Sequence, residues 1–245
     1  MKNGDEKLGF NKMKDIFYDN VYTEVRNGLL KYEKMIPLRT TPNIVNDAVG
    51  AILHDTPELF WFEGKWKAVA GEKQGKYMMP VYNMDREAVK IAQKQIEERF
   101  DTLDCICENC SEYEIARGVY RWILENVQYG LDVNNSGQNI YNALAEGRAV
   151  CKGIAKAYQF ILSRYGIFSA LAAGSLDGRM RHIWNVIRLD GGFYNVDICM
   201  GYERFDCLFS GKGRKDDLYR GFLLTDKQIE CTHAWQPEYP YRIVC

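Results

Sequence analysis

The stretch AVCKGIAKAYQFILSRYGI, from Ala149 to Ile167, decides how the rest of the sequence is interpreted. From Cys151 onward its apolar residues recur with the period of an amphipathic helix, and Gly166 is the expected end of that helix. We therefore predict a helix from Cys151 to about Arg164. This pattern places a cysteine at a helix start, where backbone N–H groups and the helix dipole favour a thiolate.

A helix start stabilises an anion by only ~0.3–1 kcal/mol, so a nucleophilic Cys151 needs a histidine partner. The chain has three histidines, His54, His182 and His233. The run RHIWNVIRL predicts a β-strand that contains His182, and the run GFYNVDICM predicts a second strand directly after it. His182 is the candidate partner.

The dipeptide Asp190-Gly191 lies between these two runs and predicts a β-hairpin with a two-residue type I′ turn. In that register Trp184 lies opposite Asp197, and His182 is a diagonal neighbour of Asp197 at about 7–8 Å on the same face. A three-residue turn would place the two side chains on opposite faces. The predicted hairpin therefore joins a base to an orienting acid, which together with Cys151 is the pattern of acyl-transfer catalysis.

The remaining histidines and one further cysteine are alternatives. Cys199 lies opposite His182 in the same register, but it is expected in mid-strand without a helix start, and we interpret it as a packed residue. His233 precedes Ala-Trp as His182 precedes Ile-Trp, yet no hairpin or acidic strand follows it, which favours a structural role. We interpret His54 as a loop residue that packs the N-terminal region.

The oxyanion of an acyl-transfer reaction needs two hydrogen-bond donors near the nucleophile. The backbone N–H of Cys151 is the natural first donor. The side chains of Gln138 and Tyr141, in the preceding loop, are candidates for the second, although both also fit ordinary loop contacts. Trp184 is a further candidate for an oxyanion or substrate contact.

Composition limits the classes of partner. The chain has 32 lysine and arginine residues against 33 aspartate and glutamate residues, so no overall charge favours nucleic acid or an anionic membrane. No apolar run reaches the ~18 residues of a membrane helix, and the N-terminal sequence lacks the apolar core of a signal peptide. We expect a cytoplasmic protein, with a trimmed secreted form left open, that acts on a peptide or protein. Its oligomeric state stays open.

The eight cysteines are too sparse for the disulfide framework of a small secreted domain. The cluster DCICENC holds Cys105, Cys107 and Cys110 in two overlapping spacings with no histidine nearby. A structural zinc site is one interpretation of this spacing, and a polar loop between two helices is the simpler one. We expect no metal at the active site and no organic cofactor.

Two regions are expected along the chain. Residues 1–85 are rich in aromatic residues and turns, and they predict two helices and strand-like segments in an accessory region. Residues 86–245 are the expected catalytic domain. It begins with two helices, marked by an N-cap at Asp85 and a capping box at Ser111 and Glu114, and continues into the cysteine helix and strands. This order predicts an α+β fold. The tail is expected to add a strand, a short helix from Thr225 and an irregular end.

At this point a family resemblance becomes specific. GRAVCKGIAKAYQFILSRYGI followed by RHIWNVIRLDGGFYNVD resembles the transglutaminase-like superfamily over roughly Tyr141 to Met200, and PELFW and THAW resemble bacterial members. The resemblance implies a papain-like α+β fold, in which a nucleophile-bearing helix packs on an antiparallel sheet. It also implies a catalytic triad of Cys151, His182 and Asp197.

Two parts of the sequence depart from the common pattern of that family. Lys152 and Ile154 stand where glutamate or glycine and tyrosine are frequent, and Ile198-Cys199-Met200 replaces a threonine- and tryptophan-containing segment. The floor of the site and the choice of substrate are therefore expected to differ. We predict a cysteine peptidase or amide hydrolase that acts through a thioester. The alternatives are a protein transglutaminase, with an amine as acyl acceptor, and a non-catalytic peptide- or protein-binding module on the same fold.

Overall fold

The structure is a computed structural model that describes residues 16–71, 75–107, 110–131, 137–203, 205 and 218–236. The chain divides into two compact units, Met1–Ile91 and Ala92–Cys245. No helix within the described ranges has the length and apolar character needed to cross a membrane.

The described part of the first unit is a small α/β layer. Its three-stranded antiparallel sheet has the order β1-β3-β2. The elements are α1 (Ile16–Leu30), β1 (Ile36–Leu38), α2 (Pro42–Asp55), β2 (Phe62–Ala70) and β3 (Lys76–Tyr82). His54 lies in the last turn of α2, so its assignment to a loop was wrong. The helical pattern extends to Asp55 because the backbone N–H of Thr56 still donates to the carbonyl of Ile52.

In the described residues four α-helices follow, and the first of them crosses the division between the units. They are α3 (Arg86–Cys107), α4 (Glu112–Asn126), α5 (Cys151–Arg164) and α6 (Asp226–Ile229). The predicted caps are confirmed: Asp85 accepts the Ala88 N–H at 2.8 Å, and Ser111 and Glu114 form a reciprocal capping box. Thr225 and Gln228 form another at α6. Helix α5 ends at Arg164, as predicted, and Tyr165 is its C-cap residue. Gly166 has a left-handed φ of +72°, which is common just after the end of a helix.

The second unit also contains a four-stranded antiparallel sheet in the order β8-β7-β6-β9, and α5 packs against β6 and β7. A separate parallel pair joins β4 to β5. The strands are β4 (Gln128–Tyr129), β5 (Arg148–Ala149), β6 (Ser169–Leu176), β7 (Met180–Leu189), β8 (Gly192–Val196) and β9 (His233–Trp235). The predicted α+β class, with a cysteine-bearing helix on an antiparallel sheet, is confirmed.

The predicted strand GFYNVDICM is shorter than expected. Strand β8 ends at Val196, and a 3₁₀ helix follows from Ile198 to Gly201. The side chain of Asp197 accepts the backbone N–H of Cys199 at 3.0 Å, and this local cap competes with the extended conformation. Cys199 therefore lies in a 3₁₀ helix, and its assignment to mid-strand was wrong.

Candidate active site

The start of α5 holds the candidate nucleophile. Val150, in an extended conformation, precedes Cys151 and supplies no side-chain cap, and the first turn has no acidic residue. A Cβ at Gly153 would lie 2.3 Å from the carbonyl oxygen of Gly137, which accepts the Val150 N–H at 3.0 Å. The upstream loop therefore touches the backbone of the helix start, and glycine at position 153 permits that approach.

The β7–β8 hairpin positions the candidate base and acid. Asp190 and Gly191 have φ values of +48° and +80°, as a type I′ turn requires, and Leu189 pairs with Gly192. The predicted register is therefore confirmed. Beyond the end of β8, the Nε2 of His182 lies 2.9 Å from the Oδ2 of Asp197. Both residues are buried, with exposed fractions of 2% and 1%.

The Asp197 carboxylate receives three donors. Its Oδ1 accepts the Cys199 N–H at 3.0 Å, while Oδ2 lies 2.9 Å from His182 Nε2 and 3.1 Å from His233 Nε2. Burial alone would raise the pKa of this carboxyl group. The charge and hydrogen bond of His182, together with the bond from His233, outweigh burial and hold the pKa of Asp197 well below its usual range. The carboxylate is therefore ionised at neutral pH.

The opposite shift applies to His182. Burial would lower its pKa, but the adjacent Asp197 carboxylate outweighs burial and raises the pKa well above the ordinary histidine value. Because a carboxylate only accepts hydrogen bonds, the Nε2 of His182 carries a proton. Among the residues that the structure describes, its buried Nδ1 has no hydrogen-bond partner of good geometry, so this nitrogen is the candidate to exchange a proton with Cys151.

The Cys151 thiol responds to His182. Burial would raise its pKa, but the hydrogen-bonding capacity and charge of His182 and the backbone N–H of Ile183 outweigh burial and lower the pKa below its ordinary value. The sulfur and Nδ1 do not yet meet hydrogen-bond geometry. Catalytic hydrogen bonds are often long before substrate binds. The electrostatics favour a thiolate–imidazolium pair.

The register explains why the Ile183 N–H is available. In an antiparallel pair, every second residue of a strand directs its backbone N–H and C=O groups at the neighbouring strand. In β7 the residues that do so towards β8 include Asn185 and Leu189. Ile183 lies on the same side of β7, but β8 ends at Val196, opposite Asn185, and does not reach Ile183. Its N–H therefore faces the sulfur instead of a neighbouring strand. Sequence reasoning missed this donor because it extended β8 too far.

The other predicted site residues lie in different surroundings. Gln138 has an exposed side chain directly after Gly137, and the half-buried Tyr141 begins a π-helix, Tyr141–Ala145. Burial raises the pKa of the Tyr141 hydroxyl. Trp184 is 1% exposed, and its indole N–H donates to the Oδ1 of Asn195 at 2.9 Å. That hydrogen bond directs the Trp184 donor into the protein interior.

Two further residues contact the elements of the candidate site: Asn185, which was not singled out from the sequence, and His233. Asn185 donates to the backbone carbonyl of Ala155 at 2.9 Å and to the hydroxyl of Ser169 at 3.1 Å, and so ties α5 to the sheet. His233, which we had interpreted as structural, contacts Asp197 directly. The sequence feature that could have indicated this contact is His233-Ala-Trp235, which repeats the His-x-Trp pattern of His182-Ile-Trp184.

The rival thiol, Cys199, is 1% exposed. Burial, reinforced by the negative charge of Asp197, raises its pKa well above the ordinary value, which makes it a poor nucleophile. His182, Asp197 and Cys199 also place ligand-type atoms within 4.8 Å of one another, a spacing that a cation would accept. The direct His182–Asp197 bond already accounts for much of this proximity, so we interpret the group as an acid–base cluster.

The cysteine cluster near residue 107 is only partly described. Cys110 is half-buried. The side chains of Cys105 and Cys107 lie outside the described residues, as do Cys207 and Cys245, so the zinc interpretation stays a prediction.

Residues 106–198 match the Transglutaminase-like superfamily. The matched segment contains Cys151, His182 and Asp197, and it ends where the 3₁₀ helix begins. No curated protein matches the sequence.

Several solved structures are similar in part. A TGase is 11% identical, with a TM-score of 0.41 over 55% of this chain and 44% of that one. A candidate cysteine protease from Cytophaga hutchinsonii is 11% identical, with a TM-score of 0.36 over 55% and 61%. Menin, whose structure reveals the binding site for Mixed Lineage Leukemia (MLL) protein, is 15% identical, with a TM-score of 0.32 over 74% and 35%. In each comparison the matched part is less than two thirds of the other chain.

Proposed function

We propose that this chain, whose residues 106–198 form a transglutaminase-like core, is a cysteine enzyme that cleaves peptide or protein amide bonds through a thioester at Cys151. The observation that carries the proposal is the buried 2.9 Å contact between His182 and Asp197, beside a thiol whose pKa is lowered. Nucleophile, base and orienting acid are the three groups of the triads that catalyse acyl transfer.

In the first half-reaction the Cys151 thiolate attacks the amide carbonyl carbon, and the carbonyl electrons move onto oxygen. The Nδ1–H of protonated His182 gives its proton to the leaving amine as the C–N bond breaks, which leaves a thioester. Asp197 holds the ring so that Nδ1, and not Nε2, exchanges this proton.

The oxyanion forms beside the start of α5. This helix end has no side-chain cap and no acidic residue in its first turn. Its backbone N–H groups, with that of Cys151 nearest the reacting carbon, are the natural donors to the developing charge. The Ile183 N–H stabilises the thiolate before attack and is released from it once the C–S bond forms.

In the second half-reaction neutral His182 takes a proton from the acceptor, which attacks the thioester and frees Cys151. Water as acceptor gives hydrolysis, and we propose this outcome because water needs no dedicated second site. A primary amine as acceptor would give transamidation by the same groups.

The test incubates the full chain with unstructured protein substrates, with and without a labelled primary amine, and measures new peptide termini and amine incorporation. A peptide carrying a thiol-directed electrophile measures the nucleophile independently, and Cys151→Ala is the control. We expect new termini and selective labelling of Cys151. Amine incorporation without new termini would move the assignment to transamidation. Labelling that is spread equally over the cysteines, with neither product, would contradict an enzyme and favour the binding module.

A further inference from the structure

We infer that His233 is a positioning residue of the active site, and that the C-terminal strand β9 thereby supplies a second imidazole that fixes the orientation of Asp197. The inference rests on the proposed catalytic roles of Cys151, His182 and Asp197. It adds a part of the chain outside the matched segment 106–198 to the catalytic machinery.

The two imidazoles share one carboxylate oxygen. The Nε2 of His182 lies 2.9 Å and the Nε2 of His233 lies 3.1 Å from the Oδ2 of Asp197, and the two ring centres are 5.3 Å apart. His233 is 3% exposed, so no bulk water competes for this contact. The Oδ1 atom is meanwhile held by the Cys199 N–H, so donors on both oxygens oppose rotation of the carboxylate.

The hydrogen-bond partners of His233 select its tautomer. An ionised carboxylate only accepts hydrogen bonds, so the Nε2 of His233 must donate to Asp197. The hydroxyl of Thr232 lies 2.8 Å from the Nδ1 of His233 and 3.3 Å from the carbonyl oxygen of Ile229. Its single proton can serve the shorter contact, in which it donates to Nδ1. His233 is therefore suited to act as a fixed donor, whereas no residue in the described part of the chain gives the Nδ1 of His182 such a partner, which leaves it to exchange protons.

The sheet is built so that β9 can deliver this side chain. In β6, Gly174 pairs with His182 of β7 on one side and with Trp235 of β9 on the other. A Cβ at position 174 would lie 2.0 Å from the carbonyl oxygen of Ala234. Only glycine permits this approach of β9.

Aromatic packing holds the second imidazole in place. The Trp184 ring meets the His233 ring edge-on with centres 4.9 Å apart, and it meets Trp235 at the same distance. The indole N–H of Trp184 is bound to Asn195. The ring contacts and the Thr232 hydroxyl together oppose any rotation of the His233 ring away from Asp197.

The test measures the rate at which iodoacetamide alkylates Cys151 across pH, beside the kcat of the full chain on a peptide substrate. The variants are His233→Ala, which removes the donor, and His233→Gln, whose side-chain amide restores an N–H. Gln228→Ala is the structural control, because it breaks the capping box of α6 just before β9 without touching Asp197. Melting temperatures are measured for all of them.

We expect His233→Ala to lower kcat about 10-fold, the scale of one hydrogen bond to a charged group, and to shift the alkylation midpoint towards that of an ordinary thiol. His233→Gln should recover most of both losses, and Gln228→Ala should lower only the melting temperature. A lower melting temperature in His233→Ala, with unchanged midpoint and kcat, would overturn the inference and leave the proposed function standing. An ordinary midpoint in the unmodified protein would instead contradict the proposed function itself.

Discussion

Helices α4 and α5 begin in opposite ways within the same unit. Helix α4 opens with a complete capping box, and its first turn contains Glu112 and Glu114. Helix α5 opens after Val150 with no side-chain cap and no acidic residue, and Cys151 takes the first helical position. The positive end of the dipole is compensated in α4 and uncompensated in α5.

Under the proposed function, this unit uses one helix start for stability and keeps the other for chemistry. A capping side chain satisfies N–H groups that the helix itself leaves open, typically for about 1 kcal/mol. At α5 the same N–H groups are left for a thiolate or an oxyanion. Burial of the following residues, from Ile154 to Leu162, holds α5 in place without a cap.

The largest expected effect concerns the thiol at the start of α5. Replacing the nucleophile in Cys151→Ala should reduce amide turnover by roughly 10⁶, because nucleophile and base act as a unit. Cys199→Ala should keep a substantial part of the activity, since that buried thiol has a raised pKa. Steady-state rates of both purified variants check this, and an inactive but well-folded Cys199→Ala beside an active Cys151→Ala would contradict the assignment.

The next effect concerns the group that orients the base. Asp197→Asn should cut turnover by up to ~10⁴, because the amide can hold the His182 ring in the wrong tautomer. Asp190→Asn is the matched control on the same hairpin, and asparagine also suits a type I′ turn, so its rate should stay near that of the unmodified protein. Equal, small losses of rate in both variants would show that another group holds His182.

A smaller effect comes from making α5 resemble α4. Val150→Ser introduces a side-chain cap at α5, which should satisfy the backbone N–H of Lys152 or Gly153 and so weaken the positive end of the helix dipole beside the sulfur. We expect Cys151 alkylation at neutral pH to slow about two- to fivefold, in line with the modest strength of a helix dipole. Val150→Thr offers the same cap on a β-branched side chain and should behave alike. Faster alkylation in both variants would contradict the role given to the open helix start.

The smallest effect on activity is expected at α4. Ser111→Ala removes the capping box and should lower the free energy of unfolding by about 1 kcal/mol, while turnover well below the melting temperature stays unchanged. Denaturant unfolding and turnover measured on the same sample check this. A large loss of turnover without a loss of stability would show that the two helix starts are not separate in function.

Much of the fold followed from local sequence rules. The limits of α5, the turn at Asp190-Gly191 and the cap at Ser111 each depend on a few adjacent residues, so a single sequence predicted them. The hairpin register then followed by counting, and it placed Asp197 near His182.

The parts that were missed depend on contacts between distant segments. The end of β8 is set partly by the Asp197 N–H, which donates to the carbonyl of Gly221. These two residues are 24 positions apart in the sequence (221 minus 197). The role of His233 requires β9 to lie beside β6, and no local pattern in the tail indicates that pairing. In the sequence Gly174 is an ordinary small residue of a strand. Its importance depends on the Ala234 backbone, which lies too close for any larger residue at position 174.

The most direct measurement is the pH dependence of Cys151 alkylation in the unmodified protein, followed by peptide mass spectrometry with Cys231 as the exposed internal reference. The lowered pKa of Cys151 predicts that its alkylation rate rises with a midpoint below the ~8.5 of a free thiol. The rate should then stay on its plateau as pH rises, because the thiolate persists after His182 loses its proton. A Cys151 midpoint at or above that of Cys231 would contradict the claim that this helix start holds an activated nucleophile.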